Sequence, residues 1–186
     1  MNSTTHKQTL RSHRLSALFL AIVLTACAVN NANARDRGIA PVDYRILLAG
    51  DKFDGVRQYA VTYNMRPPRR LRSQHLELAV GQVASASSNH AFVSFGPVWR
   101  LPITGESAFV DLGFSPTLIS GTDFNGRDLG GNLHFTSSIS VGATFGRRQS
   151  VAVSLRVQHT SNGGLSETNP GIDMIGINVA FNFLGP

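Results

Sequence analysis

A chain of 186 residues, 42% hydrophobic and 15% charged, is long enough for one domain with a single core or one small barrel. Its formal charge of +6 falls once Lys7, Arg11 and Arg14 of the amino-terminal segment are set aside, which leaves 14 basic and 11 acidic residues, a net of +3. That balance, with no basic helix and no aromatic stacking motif, gives nucleic acid no support as a partner, and a single cysteine, Cys27, excludes disulfides from the body of the fold.

Residues 1–34 read as a cleaved secretory signal. Lys7, Arg11 and Arg14 form a basic start, Leu15 to Ala28 is apolar, and a polar stretch ends in Ala32-Asn-Ala34. The apolar run of about 14 residues is shorter than the roughly 20 that a spanning helix needs. Leu24-Thr-Ala-Cys27 also resembles a lipobox, so lipidation of Cys27 stands as the alternative to cleavage after Ala34. Residues 35–186 then form the folded body.

No helical period follows. Two-residue alternation recurs instead, broken by Gly, Asn, Asp and Pro, and predicts strands over 42–49, 55–66, 71–84, 89–101, 107–120, 131–145, 149–161 and 172–183. In the second, Tyr59, Val61, Tyr63 and Met65 oppose Gln58, Ala60, Thr62 and Asn64. In the sixth, Leu133, Phe135, Ile139, Val141 and Phe145 oppose His134, Thr136, Ser138 and Ser140. One face is greasy throughout, and the other is small or polar and includes arginine.

A soluble sandwich would also alternate. Export, long strands and an even strand count with unequal connections favour an eight-stranded antiparallel transmembrane β-barrel, apolar toward lipid and polar within. Asp111 and Glu77 then face inward, where Arg100 or Arg156 would pair with them. Pro97 predicts an irregularity in the fourth strand. Tyr59, Tyr63 and Trp99 face outward as interfacial anchors. The Arg66-Pro-Pro-Arg-Arg-Leu-Arg72 cluster reads as a solvated turn, and Asp123 and Asp128 fall in a Gly-rich outer loop.

The seventh and eighth strands carry the chemistry. Val151, Val153, Leu155, Val157, His159 and Ser161 share one face, as do Asp173, Ile175, Ile177, Val179, Phe181 and Phe183. A histidine, a serine and an aspartate thus extend two apolar stripes at one end, on the lipid face where polar groups are costly. They supply a nucleophile in Ser161, a base in His159 and an orienting acid in Asp173, with Glu167 as a rival acid in the connecting loop. Asn162 with the amides of Gly163 and Gly164 is placed to stabilise an oxyanion. Neighbours two apart on a strand lie about 6.5–7 Å apart at Cα, so a Ser161–His159 bond requires a suitable rotamer or a bend. His75, His90 and His134 lack ligand-like spacing, so neither a metal nor another cofactor is expected.

The segment Leu129-Gly-Gly-Asn-Leu-His-Phe135, the Phe145-Gly146 and Gln149-Ser-Val151 pieces, His159-Thr-Ser161-Asn162-x-Gly164 and Asn169-Pro-Gly-Ile-Asp173 together resemble the lipid A 3-O-deacylase family of Gram-negative outer membranes, from about Phe92 to Phe183. The resemblance implies an eight-stranded barrel that hydrolyses the ester-linked acyl chain at position 3 of lipid A without a metal. It implies Ser161 as nucleophile, His159 as base and Asn162 as an oxyanion contributor. Aspartate at 173 departs from the best-known pattern, which has glutamate there. The expected partner is lipid A or lipopolysaccharide in the outer leaflet, with a homodimer as the candidate assembly. The competing readings are a non-catalytic structural or surface-binding outer-membrane barrel and an acyltransferase.

Overall fold

The computed structural model describes residues 44–51, 55–65, 67–68, 71, 73, 75–104, 107–146 and 151–181; the predicted signal segment and most of the Arg66–Arg72 cluster lie outside these residues. The strands are β1 (Tyr44–Asp51), β2 (Arg57–Met65), β3 (His75–Ala84), β4 (Asn89–Thr104), β5 (Ala108–Ile119), β6 (Asp123–Phe124), β7 (Arg127–Asp128), β8 (Leu133–Phe145), β9 (Val151–Ser161) and β10 (Ile172–Phe181). Eight of them close into a barrel in the order β1-β10-β9-β8-β5-β4-β3-β2, every pairing antiparallel. These eight are the predicted strands, with ends moved by a few residues. The ninth and tenth, β6 and β7, make a separate two-stranded hairpin inside what the sequence presents only as a loop.

Alternation puts the apolar side chains outside. Tyr59, Val61, Val80, Phe95, Val141, Leu155, Val157, Ile175 and Ile177 are exposed, whereas Gln58, Thr62, Asn64, Glu77, Asp111, Ser138, Arg156, Gln158 and Asn178 are buried. In water this distribution would leave a continuous greasy wall, and hydrocarbon is the surrounding that satisfies it. Closure pairs the backbone polar groups of neighbouring strands around the barrel, as a bilayer requires, apart from one gap in the β4–β5 ladder.

The interior is joined by side-chain bonds. Arg100 forks onto Asp111, Nε to Oδ1 at 2.7 Å and Nη2 to Oδ2 at 2.8 Å, while its guanidinium carbon lies 3.7 Å from the Phe109 ring centroid. Arg156 Nη1 donates to Glu77 Oε1 at 2.8 Å across the lumen. Gln158 Nε2 donates to Gln58 Oε1 at 2.7 Å, and the hydroxyls of Thr117, Thr136 and Thr160 form a ladder with 2.9 Å steps. Both carboxylates singled out in the sequence therefore find the arginines expected of them.

The Arg156–Glu77 pair yields a stability prediction. Glu77→Leu strands a buried guanidinium and should destabilise the barrel by about 3–5 kcal/mol, while the double change with Arg156→Met should recover most of that loss. Urea unfolding of barrel in detergent, followed by tryptophan fluorescence and gel mobility, measures both. A double variant as unstable as the single one would show that the pair contributes through shape rather than charge.

The mouth at the β6–β7 end is filled differently. Phe124 and Leu129, each 1% exposed, pack with Val56, Ala60, Ala79, Val83, Phe92, Ile119, Ile172 and Met174 into an apolar cluster. The β6–β7 hairpin that carries Phe124 is tied down at several points. Ser87 N–H donates to Asn125 Oδ1 at 3.2 Å, Ser88 Oγ–H to Asp123 O at 2.7 Å, and His90 Nε2–H to Asp123 O at 3.0 Å, with the His90 ring edge-on to Phe124. Below the plug an internal cavity of about 20 Å³, bordered by Thr62, Glu77, Arg156 and Gln158, has room for roughly one water.

Pro97 does mark an irregularity. The β4–β5 ladder runs to Ser94↔Thr117 and resumes at Val98↔Gly113, leaving Phe95–Pro97 unpaired opposite Phe114–Pro116. Each side of the gap carries a proline without an N–H group, Pro97 across from Phe114 and Pro116 across from Phe95, and Gly96 backs closely onto the Phe114 carbonyl.

Candidate active site

The site lies on the outer wall, where β9 ends and β10 begins. Barrel register puts Asp173 directly opposite His159. Their side chains meet, His159 Nδ1 to Asp173 Oδ1 at 2.6 Å, and both remain open, at 44% and 82% of full side-chain exposure. A carboxylate oxygen only accepts, so Nδ1 carries a proton, and in the neutral ring Nε2 is the nitrogen that presents a lone pair. This is the tautomer a general base requires. Arg127, from β7, donates Nη2–H to Pro170 O at 3.4 Å, and its charge acts on Asp173. Glu167, the rival acid, is exposed in the β9–β10 loop.

Ser161 stands two residues beyond His159 on the same face and is half-buried, opposite Phe135 of β8. Among the described residues its hydroxyl makes no hydrogen bond, so the chain joins the histidine to the aspartate and leaves the serine apart. A change of rotamer or a local bend is needed to bring Ser161 Oγ to Nε2, a contact of the kind that often tightens only with a bound substrate.

Gly171 shapes the other side of the imidazole. It is buried at φ +66°, and a Cβ there would sit 2.7 Å from His159 Cε1. A side chain at 171 would therefore meet both backbone strain and the ring. Gly171→Ala is expected to displace the imidazole from Asp173 and lower turnover about tenfold or more with the barrel still formed. Steady-state hydrolysis beside heat-modifiable gel mobility checks this, and an unchanged rate would show that the ring tolerates the shift. Sequence reading passed over Gly171, since a glycine beside a turn carries no sign of the side chain it faces.

The three residues expected to serve an oxyanion are used unequally. Asn162 is completely buried, and its Nδ2 donates to Leu129 O, Gly130 O and Thr168 O at 3.0, 2.8 and 2.7 Å. Its Oδ1 accepts from Gly164 N–H at 2.9 Å. The Asn162 side chain and the Gly164 amide are thus engaged within the protein, contrary to the expectation that they face an oxyanion. Gly163 N–H remains without a partner among the described residues. Asn169, which the sequence reading did not single out, accepts the Asn162 N–H at its Oδ1 at 3.0 Å and leaves its own NH₂ unengaged among those residues. Gly130 allows the clamp to close, because a Cβ at its φ of +73° would run into Thr168 O. Next to it, Asp128 accepts Gly130 N–H at 2.9 Å, and that bond, with one from Thr122, holds its carboxyl below the usual carboxylate range.

A family model described as lipid A 3-O-deacylase (PagL) matches residues 57–182, which hold the barrel from β2 onward and every residue of the site. The chain belongs to the PagL family. It is 37% identical over 83 residues to the lipid A deacylase PagL of Pseudomonas aeruginosa strain PAO1, a match covering 44% of this chain and 47% of that protein. It is 32% identical over 95 residues to the lipid A deacylase PagL of Bordetella bronchiseptica strain RB50, covering 47% and 52%. The chain thus spans about half the length of the curated PagL relatives it matches. Its fold resembles the crystal structure of the outer membrane enzyme PagL with a TM-score of 0.61 at 22% identity, over 75% of this chain and 98% of that one.

Proposed function

We propose that the protein is a serine esterase of the Gram-negative outer membrane that removes the ester-linked acyl chain at position 3 of lipid A. Membership of the PagL family gives the reaction class. The observation that carries the reading to these residues is the 2.6 Å His159–Asp173 contact, placed with Ser161 on the lipid-facing wall rather than in the lumen. Hydrocarbon surrounds the strands below, so acyl chains stay in the leaflet while an ester near the headgroups reaches the serine.

In this mechanism His159 Nε2 takes the Ser161 proton as Oγ attacks the ester carbonyl carbon. Gly163 N–H, together with the NH₂ of Asn169, donates to the oxyanion of the tetrahedral intermediate. Collapse breaks the bond from the carbonyl carbon to the sugar oxygen, and that oxygen leaves with the proton held on Nε2. Water then attacks the acyl-serine with Nε2 again as base, which frees the fatty acid and restores Ser161. Asp173 keeps Nδ1 protonated and stabilises the imidazolium in both halves. Asn162 acts through the loop it pins.

Mass spectrometry of lipid A from cells producing the protein, beside a Ser161→Ala variant of equal abundance, tests the reading. Loss of one acyl chain from position 3 with the intact serine alone is the expected result. An unchanged profile from a folded barrel would favour a structural or surface-binding role, and a gained chain would point to acyl transfer.

A further inference from the structure

We infer that Ser137 is a substrate-positioning residue that hydrogen-bonds an oxygen on the third carbon of the acyl chain being cut; this rests on the esterase reading above. Ser137 lies on β8 directly opposite His159, which itself lies opposite Asp173, so Ser137, His159 and Asp173 form one row across three strands. Leu133, Phe135 and Ile139 alternate with buried His134, Thr136 and Ser138, which places Ser137 on the outward face with the site. It is half-buried, and among the described residues its hydroxyl has no hydrogen-bond partner.

A hydroxyl in that position needs an explanation. The next row toward the membrane centre is Ile139, Val157 and Ile175, all exposed and apolar. Ser137 is therefore the innermost hydroxyl of the site on β8 and β9, at the boundary where headgroup gives way to hydrocarbon. A polar group there gains little from its surroundings unless a ligand supplies a partner.

The spacing selects that ligand. Ser161 is the diagonal neighbour of Ser137, two residues beyond its register partner, and such neighbours lie about 7–8 Å apart. With the ester carbonyl carbon against Ser161 Oγ, the chain runs inward past the His159 row. An oxygen two carbons beyond the carbonyl then falls within hydrogen-bond reach of Ser137 Oγ. Chains bearing a hydroxyl or a second ester at that carbon would be held in register for attack, and chains with only hydrogen there would lose the contact. Phe135, beside Ser161 and stacked on Phe114 at 5.9 Å between centroids, closes the adjacent strand position with apolar surface.

The test uses full-length protein in mixed micelles with two synthetic glucosamine esters acylated at position 3, one with a 3-hydroxy chain and one with the matching unsubstituted chain. Wild type is expected to prefer the 3-hydroxy ester in kcat/KM. Ser137→Ala should lower kcat/KM about threefold to tenfold on that ester, the range set by one neutral hydrogen bond, and leave the unsubstituted ester within twofold. Ser137→Thr, which keeps a hydroxyl, should restore the preference. Equal changes on both esters, or none on either, would overturn the role of Ser137 and leave the esterase standing. No hydrolysis of either ester by folded wild type would overturn both.

Discussion

Ser161→Ala and His159→Ala are each expected to reduce lipid A deacylation by about 10⁴-fold or more, the scale on which nucleophile and base act as one unit. The two losses should not add, since either change removes the same step. Asp173→Asn should lose about 10³-fold to 10⁴-fold, because an amide can donate where the 2.6 Å contact now accepts, and that would reverse the tautomer of His159. Glu167→Gln, in the exposed loop, should stay near wild type. Rates on purified lipid A in detergent decide these cases. A silent Asp173→Asn together with an inactive Glu167→Gln would reassign the orienting acid to the loop.

Asn162→Asp should have the largest structural effect of any single-atom exchange in the site. The substitution replaces a buried NH₂, held by carbonyls of Leu129, Gly130 and Thr168, with an oxygen of nearly the same size. Three acceptors would then face another acceptor, and any charge on it would be buried without a cation. Each unsatisfied group costs about 1–3 kcal/mol, so the loop joining β9 to β10 should part from the β7–β8 connection with a loss of roughly 3–6 kcal/mol. Protease cleavage within residues 120–132 and 162–171 should accelerate, and activity should fall although Ser161, His159 and Asp173 are intact. Unchanged cleavage and a selective loss of kcat would return Asn162 to the oxyanion role that the sequence suggested.

These two predictions differ in how far sequence reading reaches. Eight strands were legible because Val151 to Val157 and Ile175 to Phe181 keep a two-residue period long enough to exclude a helix. The Asp173–His159 meeting followed from the same period, once a ten-residue connection made β9 and β10 neighbours. The β6–β7 hairpin was not legible. Strands of two residues have no period, and Phe124 looks like a loop aromatic until the barrel mouth surrounds it. Asn162 misled for a related reason. Its residue type suits an oxyanion, but its partners Leu129 and Gly130 are more than thirty positions away, and only barrel closure brings them near. Ser137 stayed hidden beside Ser138 and Ser140, since register alone separates the one opposite His159 from those facing inward.

The apolar seal at the hairpin end of the barrel also bears on what the lumen is for. Among the described residues, Phe124, Leu129 and their neighbours fill that mouth with apolar side chains, against which a hydrated ion would lose its water without replacement, and the cavity beneath has room for about one water. The lumen thus serves as a packed support that holds the wall and its surface site in shape, rather than as a conduit lined for a solute.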